Sequence, residues 1–132
     1  MAQRVSVPTP ADFDAILAAN LPTALCTLGF FTGAKEGGSN SSWCPDCVKA
    51  EPIIDSVLDD AAAVPAGTVV LVAPCARAEY RGNPGYPYRQ HAKIKLKGVP
   101  TLIKWSKGGN VLGALVESQC WDAELVKELV NA

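Results

Sequence analysis

Two apolar runs of strand length, "TALCTLGFF" at residues 23–31 and "GTVVLVA" at residues 67–73, constrain the fold more than any other feature of the sequence. Their unbroken apolar character predicts strands that are buried on both faces, which is typical of parallel sheets. A helical pattern that reaches about residue 62 lies between them. Since parallel strands joined through a helix form a right-handed crossover, the chain is predicted to be an α/β protein.

The remaining segments extend this unit at both ends. "TPADFDAILAAN" predicts a first helix, in which Thr9 caps, Pro10 takes the first helical position and Asp12 completes a capping box. "VPTLIKW" and "VLGALVE" flank the turn signal "SKGGN" and predict a hairpin, and "CWDAELVKELVNA" predicts a closing helix. We therefore expect a central mixed β-sheet with helices on both faces, formed by residues 1–132 as a single domain.

Composition excludes several classes of protein. Apolar residues make up 48% of the chain and charged residues 19%, as in globular proteins, and the formal net charge of −1 gives no basic surface for nucleic acid. No stretch approaches the roughly 20 apolar residues that span a bilayer, and the N-terminal segment lacks the apolar core of a secretory signal. We expect a cytoplasmic monomer, in a compartment where thiols are kept reduced.

A pair of cysteines, Cys44 and Cys47 in "SSWCPDCVKAEP", lies where a site is expected, beyond the carboxyl end of a predicted parallel strand. Such a pair serves in a zinc site, a structural disulfide or a reactive dithiol. Zinc needs four ligands, and the other candidates stand isolated, so no metal site is predicted; these are Cys26, Cys75, His91 and Cys120. A structural bridge is also unfavourable because cross-linking so short a loop stabilises little.

The reactive dithiol uses the neighbouring residues best. Pro45 belongs in the first turn of a helix, which places Cys44 at the helix start, where unpaired N–H groups and the helix dipole stabilise a thiolate. Cys47 falls one turn further in and is more protected. The sequence therefore predicts that Cys44 attacks a substrate disulfide and that Cys47 then attacks Cys44 and releases the reduced product.

The motif and its context resemble the thioredoxin superfamily, and within it the Clot group typified by thioredoxin domain-containing protein 17. The resemblance covers nearly the whole chain and rests on segments in family order: "FFTGAKEGG", "SWCPDCVKAEP", "NPGYPYR", "VPTLIKW" and "LVESQC". It implies a thioredoxin fold with a cis peptide bond between Val99 and Pro100, whose backbone receives the substrate chain.

The resemblance also implies roles and partners. Cys44 would be the nucleophile and Cys47 the resolving thiol, with Pro45 and Asp46 tuning the redox potential. Apart from the resemblance, Trp43, directly before the pair, is expected to shield the site and contact substrate. The family implies a reductase of small disulfides such as cystine and of selected protein disulfides, narrower in its substrates than thioredoxin. No cofactor is expected to be bound; electrons would come from NADPH through thioredoxin reductase or an equivalent thiol system.

Two features depart from ordinary thioredoxins. The polar segment "GAKEGGSNSS" separates the strand from the motif, where it either restricts which disulfides approach or is a tolerated insertion. The buried acid that thioredoxins carry before the motif is absent. Because Glu51 lies at the edge of the helix face that carries Cys47, we hypothesise that it accepts the Cys47 proton, directly or through water.

Three alternatives remain open from the sequence. In place of a disulfide reductase, these alternatives are a thioredoxin-fold adaptor that captures partners without turnover, a dithiol relay between proteins, and a glutathione-dependent enzyme. Trp105 and Trp121 are expected in the core, and Cys75 is expected at the same sheet edge as Cys44, as either an inert or an oxidisable thiol.

Overall fold

The computed structural model of the chain describes residues 2–38 and 40–132, so Met1 and Ser39, which fall within the predicted domain and the predicted loop, lie outside the described residues. Five strands form the sheet: β1 (Gln3–Ser6), β2 (Cys26–Gly33), β3 (Thr68–Cys75), β4 (Thr101–Trp105) and β5 (Val111–Val116). The helices are α1 (Phe13–Asn20), α2 (Pro45–Leu58), α3 (Arg77–Tyr80), α4 (Pro87–Gln90) and α5 (Ala123–Asn131). Two 3₁₀ turns, Pro10–Asp12 and Glu117–Trp121, precede α1 and α5.

The strand order is β1-β3-β2-β4-β5, with β1 and β2 parallel to β3 and the β4–β5 hairpin antiparallel. The predicted mixed sheet is confirmed. Both predicted inner strands are parallel neighbours, and every residue of β2 is buried, as its unbroken apolar run predicts.

Apolar cores lie on both faces of the sheet. One contains the aromatic side chains of α1 and α4 packed on β2 and β4, and its largest members are Phe13, Phe31, Tyr86, Tyr88 and Trp105. The other joins α2 and α5 to the opposite face through Ile54, Leu58, Val126, Leu129 and Val130. Helices therefore flank the sheet on both sides, as predicted.

Three differences from the sequence prediction have physical reasons. Strand β1 was not predicted, because it is a four-residue edge strand whose mostly exposed side chains carry no apolar alternation. Helix α2 ends at Leu58 rather than near residue 62, since the apolar positions that pack on the sheet end there. The sequence "YRQHAKIK" at residues 88–95 predicts one short helix in the long connection after β3, whereas the structure has two there, α4 near the predicted place and α3 before it.

Strand ends converge at one edge of the sheet. Gly33 at the end of β2 pairs with Cys75 at the end of β3, and the loop that follows β2 delivers the chain to the start of α2. The Val99–Pro100 peptide bond, just before β4, is cis, as the resemblance implies. The part of the chain that the structure describes contains no helix of the length and apolarity required to cross a bilayer.

Candidate active site at the start of helix α2

Cys44 caps the N-terminus of α2, and Pro45 is the first helical residue, as the sequence predicts. The Cys44 sulfur accepts a hydrogen bond from the main-chain N–H of Cys47 at 3.3 Å. The main-chain N–H of Cys44 donates a hydrogen bond to the Ser42 hydroxyl at 3.1 Å, which fixes the backbone before the helix. The sulfur therefore sits among helix-terminal N–H groups, which favour a negative charge.

Cys47 lies one turn further along α2 and is completely buried. Its sulfur accepts a hydrogen bond from the main-chain N–H of Gly33 at 3.3 Å. Burial, together with a hydrogen bond to Cys44, raises the pKa of the Cys47 thiol from its ordinary value of 9.0 to about 12, although hydrogen bonds with Thr32 and Gly33 act in the opposite direction. Cys47 thus keeps its proton at neutral pH and must lose it before it can attack a disulfide.

The two thiols differ in accessibility. Both are free, but Cys44 is 6% exposed and Cys47 is 0% exposed. Cys44 is more deeply buried than its position after a polar loop suggests, because the Val99 carbonyl lies against it and accepts a hydrogen bond from its thiol at 3.7 Å. Any substrate must reach Cys44 through a narrow opening.

The segment around Val99–Pro100 forms one wall of the site. The Thr101 hydroxyl donates to the carbonyl of Gly98 at 2.6 Å, and the N–H of Glu117 donates to the carbonyl of Pro100 at 2.7 Å. These bonds hold the backbone next to Cys44. The structure therefore brings Val99 and Pro100 to the cysteine pair, as the resemblance implies.

Trp43 is held beside the cysteines by the connection that follows β3. Its indole N–H donates to the carbonyl of Cys75 at 2.7 Å, and its ring contacts that of Tyr80 at a centroid distance of 5.6 Å. The guanidinium of Arg89 lies over the Tyr80 ring, 4.2 Å from its centroid, and also donates a hydrogen bond to the Tyr80 carbonyl. Trp43 is partly buried, so part of it is available to a substrate.

Trp121 belongs to the site and not only to the core, which corrects the prediction; Trp105, at 2% exposed, is a core residue as predicted. The Trp121 indole N–H donates to the carbonyl of Asp46 at 3.1 Å, and the ammonium of Lys49 lies 4.1 Å from the Trp121 ring. The Asp46 side chain is exposed in the first turn of α2. Trp121 thus holds the main chain of the motif from the far end of the sequence.

Glu51 is partly buried on the cysteines' side of α2. Its carboxylate accepts a hydrogen bond from the Thr32 hydroxyl at 2.7 Å, and Thr32 in turn lowers the pKa of the Cys47 thiol. Thr32 was missed from the sequence because the strand was predicted to end at residue 31. A polar residue directly after the apolar run, two residues beyond Phe30 on the same strand face, was the available signal.

Cys75 lies at the same sheet edge but is completely buried. Burial raises the pKa of its thiol to about 11, so the thiolate that reacts with oxidants or disulfides is scarce at neutral pH. Its surroundings are those of an inert thiol. Among the described residues, no three His, Cys, Asp or Glu side chains are grouped so that they would hold a metal ion.

The loop between β2 and α2 is anchored at both of its ends. Lys35 and Ser42 form an isolated antiparallel bridge, and the N–H of Trp43 donates to the carbonyl of Ala34 at 3.1 Å. The Glu36 carboxylate accepts a hydrogen bond from the N–H of Arg77 at the start of α3. The loop is therefore tied to the connection that holds Trp43.

Comparison with known proteins agrees with this architecture. Residues 16–132 match the sequence model of the family described as "Thioredoxin domain-containing protein 17-like, thioredoxin domain". The "Thioredoxin-like protein Clot" of Oryza sativa subsp. japonica is 34% identical over 131 residues, which cover 94% of this chain and 93% of that protein. The "Thioredoxin domain-containing protein 17" of Homo sapiens is 36% identical over 102 residues, which cover 77% of this chain and 75% of that protein.

Solved structures show the same fold. Thioredoxin O2 from Arabidopsis thaliana, crystallised in its oxidized state, superposes with a TM-score of 0.63 at 20% sequence identity and covers 98% of this chain and 93% of that one. The sheet order, the cysteine pair at the start of a helix and the cis-proline wall are thus parts of a thioredoxin fold. Taken with the sequence match, they show that the chain belongs to the thioredoxin domain-containing protein 17-like family, which includes the Clot proteins.

Proposed function

We propose that the chain is a thiol–disulfide oxidoreductase that reduces small disulfides such as cystine, and selected protein disulfides, with Cys44 and Cys47. One observation carries the proposal: two free thiols at a helix start differ in accessibility, since Cys44 keeps 6% of its surface exposed and Cys47 keeps none. An attacking thiol must reach the substrate, whereas a resolving thiol needs only to reach its partner.

The reaction has two displacement steps. The Cys44 thiolate attacks one sulfur of the substrate disulfide, a Cys44–substrate disulfide forms, and the other substrate sulfur leaves as a thiolate that takes a proton from water. Cys47 then loses its proton and attacks the Cys44 sulfur, so that the Cys44–Cys47 bond forms and the second substrate thiolate leaves. Two electrons pass from the dithiol to the substrate.

The walls of the site support a narrow choice of substrate. Cys44 is only 6% exposed, and its sulfur lies against the carbonyl of Val99, so a substrate must present its disulfide beside the Val99–Pro100 backbone. Trp43, directly before Cys44, and the loop that precedes it are anchored beside the cysteines. Pro45 and Asp46, in the first turn of α2, would tune the redox potential through the charge and rigidity next to Cys44.

Recharging requires an electron donor. We assign this role to thioredoxin reductase with NADPH, or to an equivalent thiol system, acting on the Cys44–Cys47 disulfide in the cytoplasm. The protein itself would bind no cofactor, since the dithiol carries both electrons.

The test is NADPH consumption with thioredoxin reductase and three substrates: cystine, insulin and glutathione disulfide. The proposal expects turnover of cystine and slow reduction of insulin, with Cys44→Ser as the inactive control. Rapid insulin reduction would indicate a general thioredoxin, and activity that depends on glutathione alone would indicate a glutaredoxin-like enzyme. Absence of turnover with any donor or substrate would favour an adaptor or a redox relay that binds partner proteins.

A further inference from the structure

We infer that the Thr32 hydroxyl relays the Cys47 proton to the Glu51 carboxylate, from which it leaves through the cavity that Thr32 and Glu51 line. The inference rests on the proposed function, because it concerns the second displacement step. It adds a residue, Thr32, and an exit route to the hypothesis that Glu51 is the acceptor.

The resolving step needs a proton acceptor. Cys47 is completely buried, so water does not reach its thiol. Burial also raises the pKa of the thiol to about 12, so few Cys47 thiolates exist at neutral pH. Ordinary thioredoxins carry a buried acid in the strand before the motif, but here the corresponding stretch is Leu28, Gly29, Phe30 and Phe31. Another group must therefore remove the proton.

Thr32 stands between the thiol and a carboxylate. Its hydroxyl donates to Glu51 at 2.7 Å, which leaves the lone pairs of the oxygen free to accept a proton. The N–H of the next residue, Gly33, donates to the Cys47 sulfur at 3.3 Å, and Thr32 lowers the pKa of the Cys47 thiol, as a hydroxyl that donates to the thiolate does. Thr32 itself is 7% exposed, so the contact is largely protected from water. Thr32 therefore lies next to both the sulfur and the carboxylate.

The proton balance of the relay is complete. As the Cys47 S–H proton passes to the Thr32 oxygen, the proton already on that oxygen passes to Glu51. Thr32 ends as a neutral hydroxyl that now donates to the new thiolate, and the N–H of Gly33 donates to the same sulfur at 3.3 Å. Glu51 ends as a carboxylic acid, and the Cys47 thiolate attacks the Cys44 sulfur.

The cavity gives Glu51 an exit to water. It has a volume of about 640 Å³ and is lined by Thr32 and Glu51 together with charged side chains from three other positions. These are Arg4 on β1, Lys35 in the loop and Asp55 one turn beyond Glu51. Cys44 is not among the lining residues.

The test follows single turnovers of reduced protein with less than one equivalent of dithiobis-nitrobenzoate, a chromogenic disulfide. The first thionitrobenzoate released reports the attack by Cys44, and the second reports resolution by Cys47. Thr32→Val, which keeps the shape of the side chain, should slow the second release about tenfold or more and leave the first release unaffected. Thr32→Ser should restore the second release.

Two further variants and two controls sharpen the comparison. Glu51→Gln should slow the second release as Thr32→Val does, and the double variant should be no slower than either single variant, because both interrupt one path. Thr27→Val removes a buried hydroxyl from the other end of β2, and Asp60→Asn removes an exposed carboxylate that does not line the cavity. Both controls should release the second thionitrobenzoate at the rate of the parent protein.

The pH profile separates proton transfer from a packing role. Between about pH 7 and about pH 9 the second release should be nearly flat for the parent protein and should rise about tenfold per pH unit for Thr32→Val, which depends on hydroxide. Parent-like resolution in Thr32→Val, equal slowing in Thr32→Val and Thr32→Ser, or equal slowing of both releases would overturn the relay. If the parent protein gives no first release, the proposed function itself fails, and the relay with it.

Discussion

The main-chain N–H of Gly33 donates a hydrogen bond to the sulfur of Cys47 over 3.3 Å. This bond joins the end of β2 to the first turn of α2 and leaves no room for a larger residue. A Cβ atom at position 33 would lie 2.5 Å from the Ser42 oxygen and 2.9 Å from the Cβ of Cys44. The absence of a side chain at Gly33 therefore sets how closely the cysteine motif approaches the sheet.

Gly33→Ala should displace the motif and destabilise the protein by about 1–3 kcal/mol, the usual cost of overpacking. It should also slow the attack on a disulfide, since Cys44 moves away from the Val99 carbonyl. Urea unfolding and the rate of cystine reduction measure the two effects. The control is Gly108→Ala, whose added Cβ would approach no atom closer than 3.8 Å. Parent-like stability and rate in Gly33→Ala would show that the close approach has no consequence.

Trp121→Phe should loosen the first turn of α2. The variant removes the indole N–H that donates to the Asp46 carbonyl at 3.1 Å but keeps a ring near the ammonium of Lys49. We expect a loss of about 0.5–1.5 kcal/mol in the free energy of unfolding, the usual contribution of one hydrogen bond. Hydrogen exchange of the α2 amides measures the local effect, and Lys49→Met separates the cation–π contact from the hydrogen bond. Unchanged exchange in Trp121→Phe would contradict a role in holding the motif.

Buried thiols should make the protein sensitive to alkali. Burial raises the pKa of Cys75 to about 11 and that of Cys47 and Cys120 to about 12, from an ordinary value of 9.0. Above pH 9.0 the unfolded chain releases these protons while the folded protein keeps them. The stabilisation is therefore fully present below that pH and is lost as pH rises toward the folded-state values.

Each thiol should lower the free energy of unfolding by about 1.4 kcal/mol per pH unit once pH exceeds its ordinary pKa. Urea unfolding under reducing conditions at about pH 8 and about pH 10.5 measures the slope. Cys120 lies outside the active site. The Cys120→Ala variant should therefore lose the contribution of one thiol to the decrease of the free energy of unfolding with pH. A free energy of unfolding that does not change over this range would contradict the account.

Much of the fold was predictable because its signals are local. The apolar runs that became β2 and β3, the helical pattern after Cys44 and the turn between β4 and β5 each depend on a few neighbouring residues. The placement of Cys44 at a helix start follows from Pro45 in the same way. The family resemblance supplied the Val99–Pro100 geometry, which no local pattern indicates.

Other parts of the site depend on contacts between distant segments. Trp121 meets Asp46 across 75 residues of sequence, and Thr32 meets Glu51 only because β2 extends to Gly33 and turns that hydroxyl toward α2. The burial of Cys44 depends on the Val99 carbonyl, 55 residues away. Such contacts are fixed by sheet register and helix packing, which the periodicity of a single sequence does not specify.

The central claim is that Cys44 attacks and Cys47 resolves, and the most direct test is to trap the intermediate. Reduced Cys47→Ser is mixed with cystine, and the intact protein and its peptides are analysed by mass spectrometry, with the parent protein and Cys44→Ser alongside. The account predicts a stable half-cystine adduct on Cys44 in Cys47→Ser, an internal Cys44–Cys47 disulfide in the parent protein and no adduct in Cys44→Ser. An adduct on another cysteine, or an unmodified Cys44 in Cys47→Ser, would contradict it.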